Sequence, residues 1–321
     1  MAEQLLDIAR QLDASSGFQV EEESDALVLK LSPSGSPSSK YTVGSPVNVA
    51  SVPQRSPFRY PGGKTWLVPY IRDWLRAKKK APSRLIEPFA GGAIVSLTVA
   101  FERLAKHVVF SELDESVAAV WRVVLNGQAE WLAREILRFD LTLENVRTVL
   151  ANGPQDLREK AFQTILRNRV QRGGIMAFGA GLIKEGENGR GLRSRWYART
   201  LARRIREINS QKDRLTFAMG NGFDLISEHA RDEDTVFYID PPYTFAARRL
   251  YTRWEIDHPK LFSIMRACKG DFLMSYDNTA EIVALAKKHE FETRAIAMKN
   301  THHAKMAELL IGRDLSWLSA S

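Results

Sequence analysis

The chain has 321 residues, 44% of them hydrophobic, with 46 lysines and arginines against 38 acids and a formal net charge of +8. That is enough apolar material for a substantial core in one large domain or two smaller ones, and the basic excess favours an anionic partner, nucleic acid ahead of membrane. One cysteine, Cys268, excludes an internal disulfide and a multi-thiolate zinc site, no stretch is long and apolar enough to span a bilayer, and the acidic, amphipathic start MAEQLLDIARQLD is unlike a signal peptide, so the cytoplasm is the expected compartment.

Residues 4–13 read as a short amphipathic helix with Leu5, Ile8, Ala9 and Leu12 on one side. FQV (18–20) and ALVLKL (26–31) read as two short strands, and the Ser, Pro and Gly of 32–57 as a linker or extended arm. Residues 1–57 therefore form an appendage, suited to a protein partner, to a dimer contact or to folding back on the body. From Phe58 strands alternate with helices. RLIEPF (84–89) is a strand, GAIVSLTVAFERLA (92–105) a helix, HVVFSEL (107–113) a strand and ESVAAVWRVVL (115–125) a helix. Such alternation predicts a parallel sheet with helices on its faces. Residues 129–210 are mostly helical and more basic, an insertion between two parts of one catalytic domain, 58–128 and 211–321. Strands return at 214–219, 235–239, 271–276, 293–298 and 307–312, the last two predicting an antiparallel hairpin at the sheet edge.

Three stretches carry chemistry. In IEPFAGGAIVSL (86–97) a strand ends in the small-residue turn Ala90-Gly91-Gly92-Ala93 and a helix follows. Such a turn lets a ligand approach the backbone at the carboxyl edge of a sheet. Asp114 follows Gly92 by 22 positions and is placed to meet ribose hydroxyls. An adenosyl ligand without a pyrophosphate fits both features; so does a plain strand–helix turn with an aspartate N-cap. In FRYPGGKTWLVPYI (58–71), Pro61-Gly62-Gly63-Lys64 makes a tight basic turn, too short for the phosphate loop of NTPases. Read alone, it is a helix-entry turn.

The third stretch is FYIDPPYTF (237–245), where a buried strand runs into Asp240-Pro241-Pro242-Tyr243. The exocyclic amine of a nucleobase is a poor nucleophile, because its lone pair is delocalised into the ring. Asp240 and the Pro241 carbonyl supply acceptors for its two N–H bonds, and Pro242 helps hold that carbonyl rigidly. Tyr243 offers a face on which an extruded base stacks. No metal is required.

In this order, RYPGGK (59–64), EPFAGG (87–92), SELD (111–114) and DPPY (240–243) resemble the Dam-type DNA adenine-N6 methyltransferases, from about Phe58 to Gly312. SYDNTAEI (275–282) and KMAELLI (305–311) are similar to the family's downstream segments. The resemblance implies a Rossmann-like methyltransferase sheet, S-adenosyl-L-methionine as cofactor, double-stranded DNA as partner and a flipped adenine as target. It places Tyr60, Gly63 and Lys64 in the cofactor pocket, Glu87, Phe89, Gly91 and Gly92 under the methionine part, Asp114 on the ribose, and Asn221 and Phe223 near the cofactor adenine. Asp240, Pro241, Pro242 and Tyr243 would grip the target base. Asn221 stands where the family often has aspartate, Tyr60 where related proteins often carry tryptophan, and residues 1–57 have no counterpart in a minimal member.

The stretch NGRGLRSRWYARTLARRIREI (188–208) sets Arg190, Arg193, Arg195, Arg199 and Arg203 around Trp196, and Arg167, Arg169 and Arg172 precede it. Read as a helix inside a basic insertion, it is expected to contact duplex phosphates and a few base edges, although an arginine-rich helix is also commonly a solvated face. His302 and His303 lack thiolate or carboxylate company and read as surface residues. The rival readings are a cytosine-N4 methyltransferase, which more often carries serine in place of Asp240, an RNA or protein-glutamine methyltransferase, and a non-catalytic DNA-binding subunit of a modification or defence assembly.

Overall fold

The computed structural model describes residues 42–43, 52–59, 63–174, 176, 180–242, 256–299 and 305–318. The elements expected within 1–41, much of the 32–57 linker, Tyr60, Tyr243, His302 and His303 lie outside these residues.

Among the described residues, seven expected strands and a short one from within the expected linker pair into one eight-stranded sheet. Its strands are β1 (Thr42–Val43), β2 (Arg84–Glu87), β3 (His107–Glu112), β4 (Leu215–Met219), β5 (Thr235–Ile239), β6 (Asp271–Asp277), β7 (Glu292–Lys299) and β8 (Lys305–Gly312). Their spatial order is β1-β7-β8-β6-β5-β2-β3-β4. Every pairing is parallel except those of β8, which is antiparallel to both β6 and β7. The expected hairpin forms, but not as an edge: β8 enters between β6 and β7, and β1 pairs with Ala295 and Ile296 on the far side of β7. Burial explains the placement. Leu309, Leu310 and Ile311 are all fully enclosed, the mark of a strand covered on both faces.

The described helices, in chain order, are α1 (Val68–Arg76), α2 (Ile94–Glu102), α3 (Glu115–Leu125), α4 (Ala129–Arg138), α5 (Leu143–Ala151), α6 (Leu157–Val170), α7 (Ala198–Asn209), α8 (Gly222–His229), α9 (His258–Ala267) and α10 (Ala280–Lys288). Several start where a side chain accepts an orphan N–H of the first turn: Asp114 for α3, Thr142 for α5, Asp156 for α6, Asn221 for α8 and Thr279 for α10.

The period of two along each strand divides the core. Leu85, Val108, Phe110, Val236 and Tyr238 pack with α1, α2 and α3 on one face. Ile86, Val109, Phe237 and Ile239 pack with α8, α9 and α10 on the other. The inserted helices join the first cluster: Leu132 and Ile136 of α4, Ile165 of α6, and Leu201 and Ile205 of α7 share it with the sheet. The end of the expected linker also lies on the body, with Val52 and Phe58 buried in the same cluster and Arg55 paired with Glu102 at 3.4 Å.

This topology dictates where a ligand can sit. From β2 the chain moves outward through β3 and β4, then returns to place β5 on the other side of β2. The loops after β2 and β5 therefore leave in opposite directions and open a crevice at the carboxyl ends of the two strands.

Candidate active site

Both sequence motifs at that crevice end their strands there. Glu87 closes β2 and its buried carboxylate accepts the N–H of Ser96 in the first turn of α2 at 2.7 Å. Burial pushes its carboxyl up to about 8, against the Ser96 hydrogen bond and with Asp240 adding to the rise. The following turn is wired to the sheet: Ala90 N–H donates to the Ser111 carbonyl at 3.0 Å, and the Trp121 indole N–H donates to the Gly91 carbonyl at 3.0 Å. Gly91 has φ of 48°, in the left-handed region that favours glycine. Gly92 is buried beside it, and Phe89 is half-buried.

The acid nearest this turn is Glu112, the last residue of β3, for which the sequence reading made no provision. Its Oε2 accepts the Gly91 N–H at 3.0 Å, and its Oε1 accepts those of Leu113 at 2.7 Å and Asp114 at 2.8 Å. Burial drives this carboxyl up to about 7 in spite of the three donors. Asp114, expected to hold a ribose, is the N-cap of α3: its Oδ1 accepts from Ser116 N at 2.8 Å and Val117 N at 3.1 Å. Glu112 follows Gly92 by 20 positions, also close to the roughly 20 at which such folds place a ribose-binding acid.

Across the crevice, Asn221 caps α8 by accepting the Phe223 N–H at 3.0 Å. Phe223 meets Phe89 edge to face, centroids 6.1 Å apart. Gly222 makes that approach possible, because a Cβ there would lie 2.6 Å from the Pro88 carbonyl oxygen and 2.7 Å from Phe89 Cε1.

Asp240 follows β5, with Pro241 buried and Pro242 half-buried behind it. Its Oδ1 accepts from Ser275 Oγ at 3.1 Å and lies 3.3 Å from Lys64 Nζ. Because the Ser275 proton points to Asp240, the 3.0 Å contact between Ser275 and Tyr238 has the tyrosine hydroxyl as donor. Lys64 opens the 3-10 turn Lys64–Leu67, just after the extended, exposed Gly63. It is 5% exposed and also pairs with Glu308 of β8, itself 4% exposed. Burial opposes the lysine charge, but Asp240 and Glu308 outweigh it and hold the ammonium above its usual range. Ser275 and Glu308 were given no role by the sequence reading. Both are polar residues in apolar, enclosed strands, which is the signal that finds them.

The arginine-rich region divides. Its helix begins only at Ala198, so Arg190, Arg193, Arg195 and Trp196 precede it, with a 3-10 turn at Gly191–Ser194. Arg172, Arg190, Arg193, Arg199 and Arg203 are exposed, Arg167 and Arg195 half-buried. Arg203 lies 3.7 Å from Glu207. Trp196 packs against Phe139, centroids 5.9 Å apart, rather than standing out from the surface. Arg169, expected at the DNA surface, is buried instead: α6 turns it inward, where it donates to the Pro57 carbonyl.

Among the described residues no helix is long and apolar enough to cross a membrane, and no group of three or more His, Cys, Asp or Glu is arranged to hold a metal ion.

The sheet order is that of a Rossmann-like α/β fold. The family model of the D12 class N6 adenine-specific DNA methyltransferases matches residues 60–301, and the chain belongs to that family. No curated protein matches it. Among solved structures it is similar to the rRNA methyltransferase AviRa from Streptomyces viridochromogenes, at 17% identity and a TM-score of 0.35, covering 79% of this chain and 86% of that one. It is also similar to Thermoplasma acidophilum 1320, at 10% identity and a TM-score of 0.33, covering 84% and 94%. The chain is thus an adenine-N6 DNA methyltransferase by family.

Proposed function

We propose that the chain transfers a methyl group from S-adenosylmethionine to the 6-amino group of an adenine turned out of double-stranded DNA. The observation that carries this reading is the fixed carboxylate of Asp240, held by Ser275 and Lys64 at the switch point of the sheet.

The residues around the crevice suit the cofactor. Glu112, at the carboxyl end of β3, is the acid placed to accept ribose hydroxyls, exchanging its contact with Gly91 N–H for them. Phe89 and Phe223 offer apolar edges to an adenine ring, with Asn221 beside them. The Gly91-Gly92 turn leaves room for the methionine part, and Glu87 adds an acidic floor. S-adenosylmethionine supplies a methyl group on a sulfonium, whose neutral leaving group makes the transfer electronically easy. Alignment and acceptors remain for the protein. Asp240 and the Pro241 carbonyl take the two N–H bonds of the target amine, so that its lone pair is turned toward the methyl carbon. Asp240 then takes the proton that the methylated amine sheds. Lys64 pins the Asp240 carboxylate, and Glu308 holds Lys64 between them. Tyr243 stacks on the extruded base, whose removal from the duplex takes roughly a few kcal/mol.

The exposed arginines Arg172, Arg190, Arg193, Arg199 and Arg203 position the duplex through its phosphates. Trp196, packed against Phe139, anchors the stretch that leads from Arg190 and Arg193 into α7. The test is incorporation of labelled methyl groups from S-adenosylmethionine into unmethylated duplex DNA. Incorporation into DNA alone supports the reading, and transfer to RNA or protein with none to DNA contradicts it.

A further inference from the structure

Trp121 lies in α3, seven residues after the Asp114 cap. That is about two helical turns, so the cap sets the register that carries Trp121. The side chain is fully buried. Phe58 and Phe110 meet its ring edge to face, centroids 5.5 and 5.3 Å away, and fix the plane of the indole. A buried indole N–H needs an acceptor. The one it finds is the Gly91 carbonyl, 3.0 Å away, in the turn between β2 and α2.

That turn has to be held. Ala93 stands beside Gly91 in the left-handed region, with φ of 50°, a conformation that its Cβ disfavours. Such backbone persists where its surroundings over-determine it. Within the turn, Ala93 N–H donates to the Ala90 carbonyl at 2.6 Å. From outside, the Ser111 carbonyl accepts the Ala90 N–H, Glu112 accepts the Gly91 N–H, and Trp121 donates to the Gly91 carbonyl. The last two tethers differ in what ligand binding does to them. Glu112 gives up the Gly91 N–H when it takes ribose hydroxyls. Trp121 is enclosed, and its bond survives occupation of the crevice. A trans peptide sets its C=O and N–H in opposite directions, so a Gly91 carbonyl held toward Trp121 also fixes where the Gly92 N–H points.

We infer that Trp121 is a positioning residue for the cofactor: its indole N–H holds the Gly91–Gly92 peptide in shape beneath the methionine part of S-adenosylmethionine while Glu112 turns to the ribose. The inference rests on the cofactor reading above. It adds a residue that acts through the turn and does not itself touch the ligand.

The test is calorimetry of the full chain with two ligands, S-adenosylmethionine and methylthioadenosine, which keeps the adenosyl group and lacks the amino-acid part. Trp121→Phe removes the N–H. Because it also leaves space in the core, a second variant carries benzothienylalanine at position 121, which keeps the bicyclic shape without the donor. Well below the melting temperature, both variants should bind S-adenosylmethionine about 10-fold more weakly, the scale of one lost hydrogen bond. Affinity for methylthioadenosine should not move, and KM for S-adenosylmethionine should rise with kcat retained at saturation. A tryptophan that only filled the core would lower the melting temperature and leave the difference between the two ligands as it was. Unchanged S-adenosylmethionine affinity in the benzothienylalanine variant, or an equal fall for both ligands, overturns the role of Trp121 and leaves the cofactor reading standing. No binding of S-adenosylmethionine by the unaltered chain overturns both.

Discussion

Lys64 Nζ lies 3.3 Å from Asp240 Oδ1 while also pairing with Glu308, so one buried ammonium joins the turn before α1, the end of β5 and the interior of β8. Removing one member of a buried ionic group leaves the others uncompensated. Lys64→Met is therefore expected to destabilise the chain by about 3–5 kcal/mol, read as a shift of the urea midpoint, and to abolish transfer. Stability close to that of the parent would show that the group is solvated.

The carboxyl of Glu87 stands at about 8 in the folded chain against 4.5 as an ordinary glutamate, and that of Glu112 at about 7. Between these values the folded state keeps protons that the unfolded state has released. Stability therefore falls as pH rises from about 4.5 to about 8, and the loss is complete above the folded values. Thermal unfolding of the ligand-free chain across this window should show the decline, and Glu87→Gln should flatten it. A melting temperature that rises through the window would contradict the burial of these groups.

Glu112 and Asp114 separate a ligand contact from a cap. Glu112→Gln is expected to weaken S-adenosylmethionine binding by about 10- to 100-fold, the range for a hydrogen bond to a charged group. The parent's affinity should rise with pH up to about 7 and then level, as Glu112 ionises, and the variant should lose that dependence. Asp114→Ala should cost about 1 kcal/mol of stability, as loss of an N-cap does, with little change in affinity. Calorimetry of both variants decides between the two acids.

Gly222 is where backbone shape reaches the cofactor pocket. An added methyl would sit 2.6 Å from the Pro88 carbonyl oxygen and 2.7 Å from the Phe89 ring, so Gly222→Ala must part α8 from the turn after β2. The expected result is about 1–3 kcal/mol of lost stability and weaker cofactor binding with duplex affinity intact. Unchanged cofactor affinity would remove the Phe89–Phe223 pair from the pocket.

Local patterns made the sheet legible. Alternation marked β2, β3 and β5, and the span of α3 matches its residues 115–125. Partnership across the chain was not legible. Nothing in KMAELLIG announces that Glu308 will face Lys64, because strand insertion between β6 and β7 is a tertiary choice. An acid after a strand serves equally well as a ligand contact or a helix cap, and only the fold shows Asp114 on the first turn of α3 and Glu112 turned toward Gly91. Arg169, expected at the DNA surface, did mislead. Arginine content predicts charge, while the side of α6 on which a residue lies decides whether that charge meets solvent or the Pro57 carbonyl.

The central claim is that Asp240 grips an adenine amine for methylation. The most direct measurement incubates the purified chain with S-adenosylmethionine and unmethylated duplex DNA, digests the product to nucleosides and quantifies methylated bases by mass spectrometry. The account predicts 6-methyladenine from the parent chain and a fall of about 10²–10³-fold or more in Asp240→Ala, the scale for a lost electrostatic contact, with cofactor affinity retained. Undiminished 6-methyladenine from Asp240→Ala, or 4-methylcytosine as the product of the parent, would contradict it.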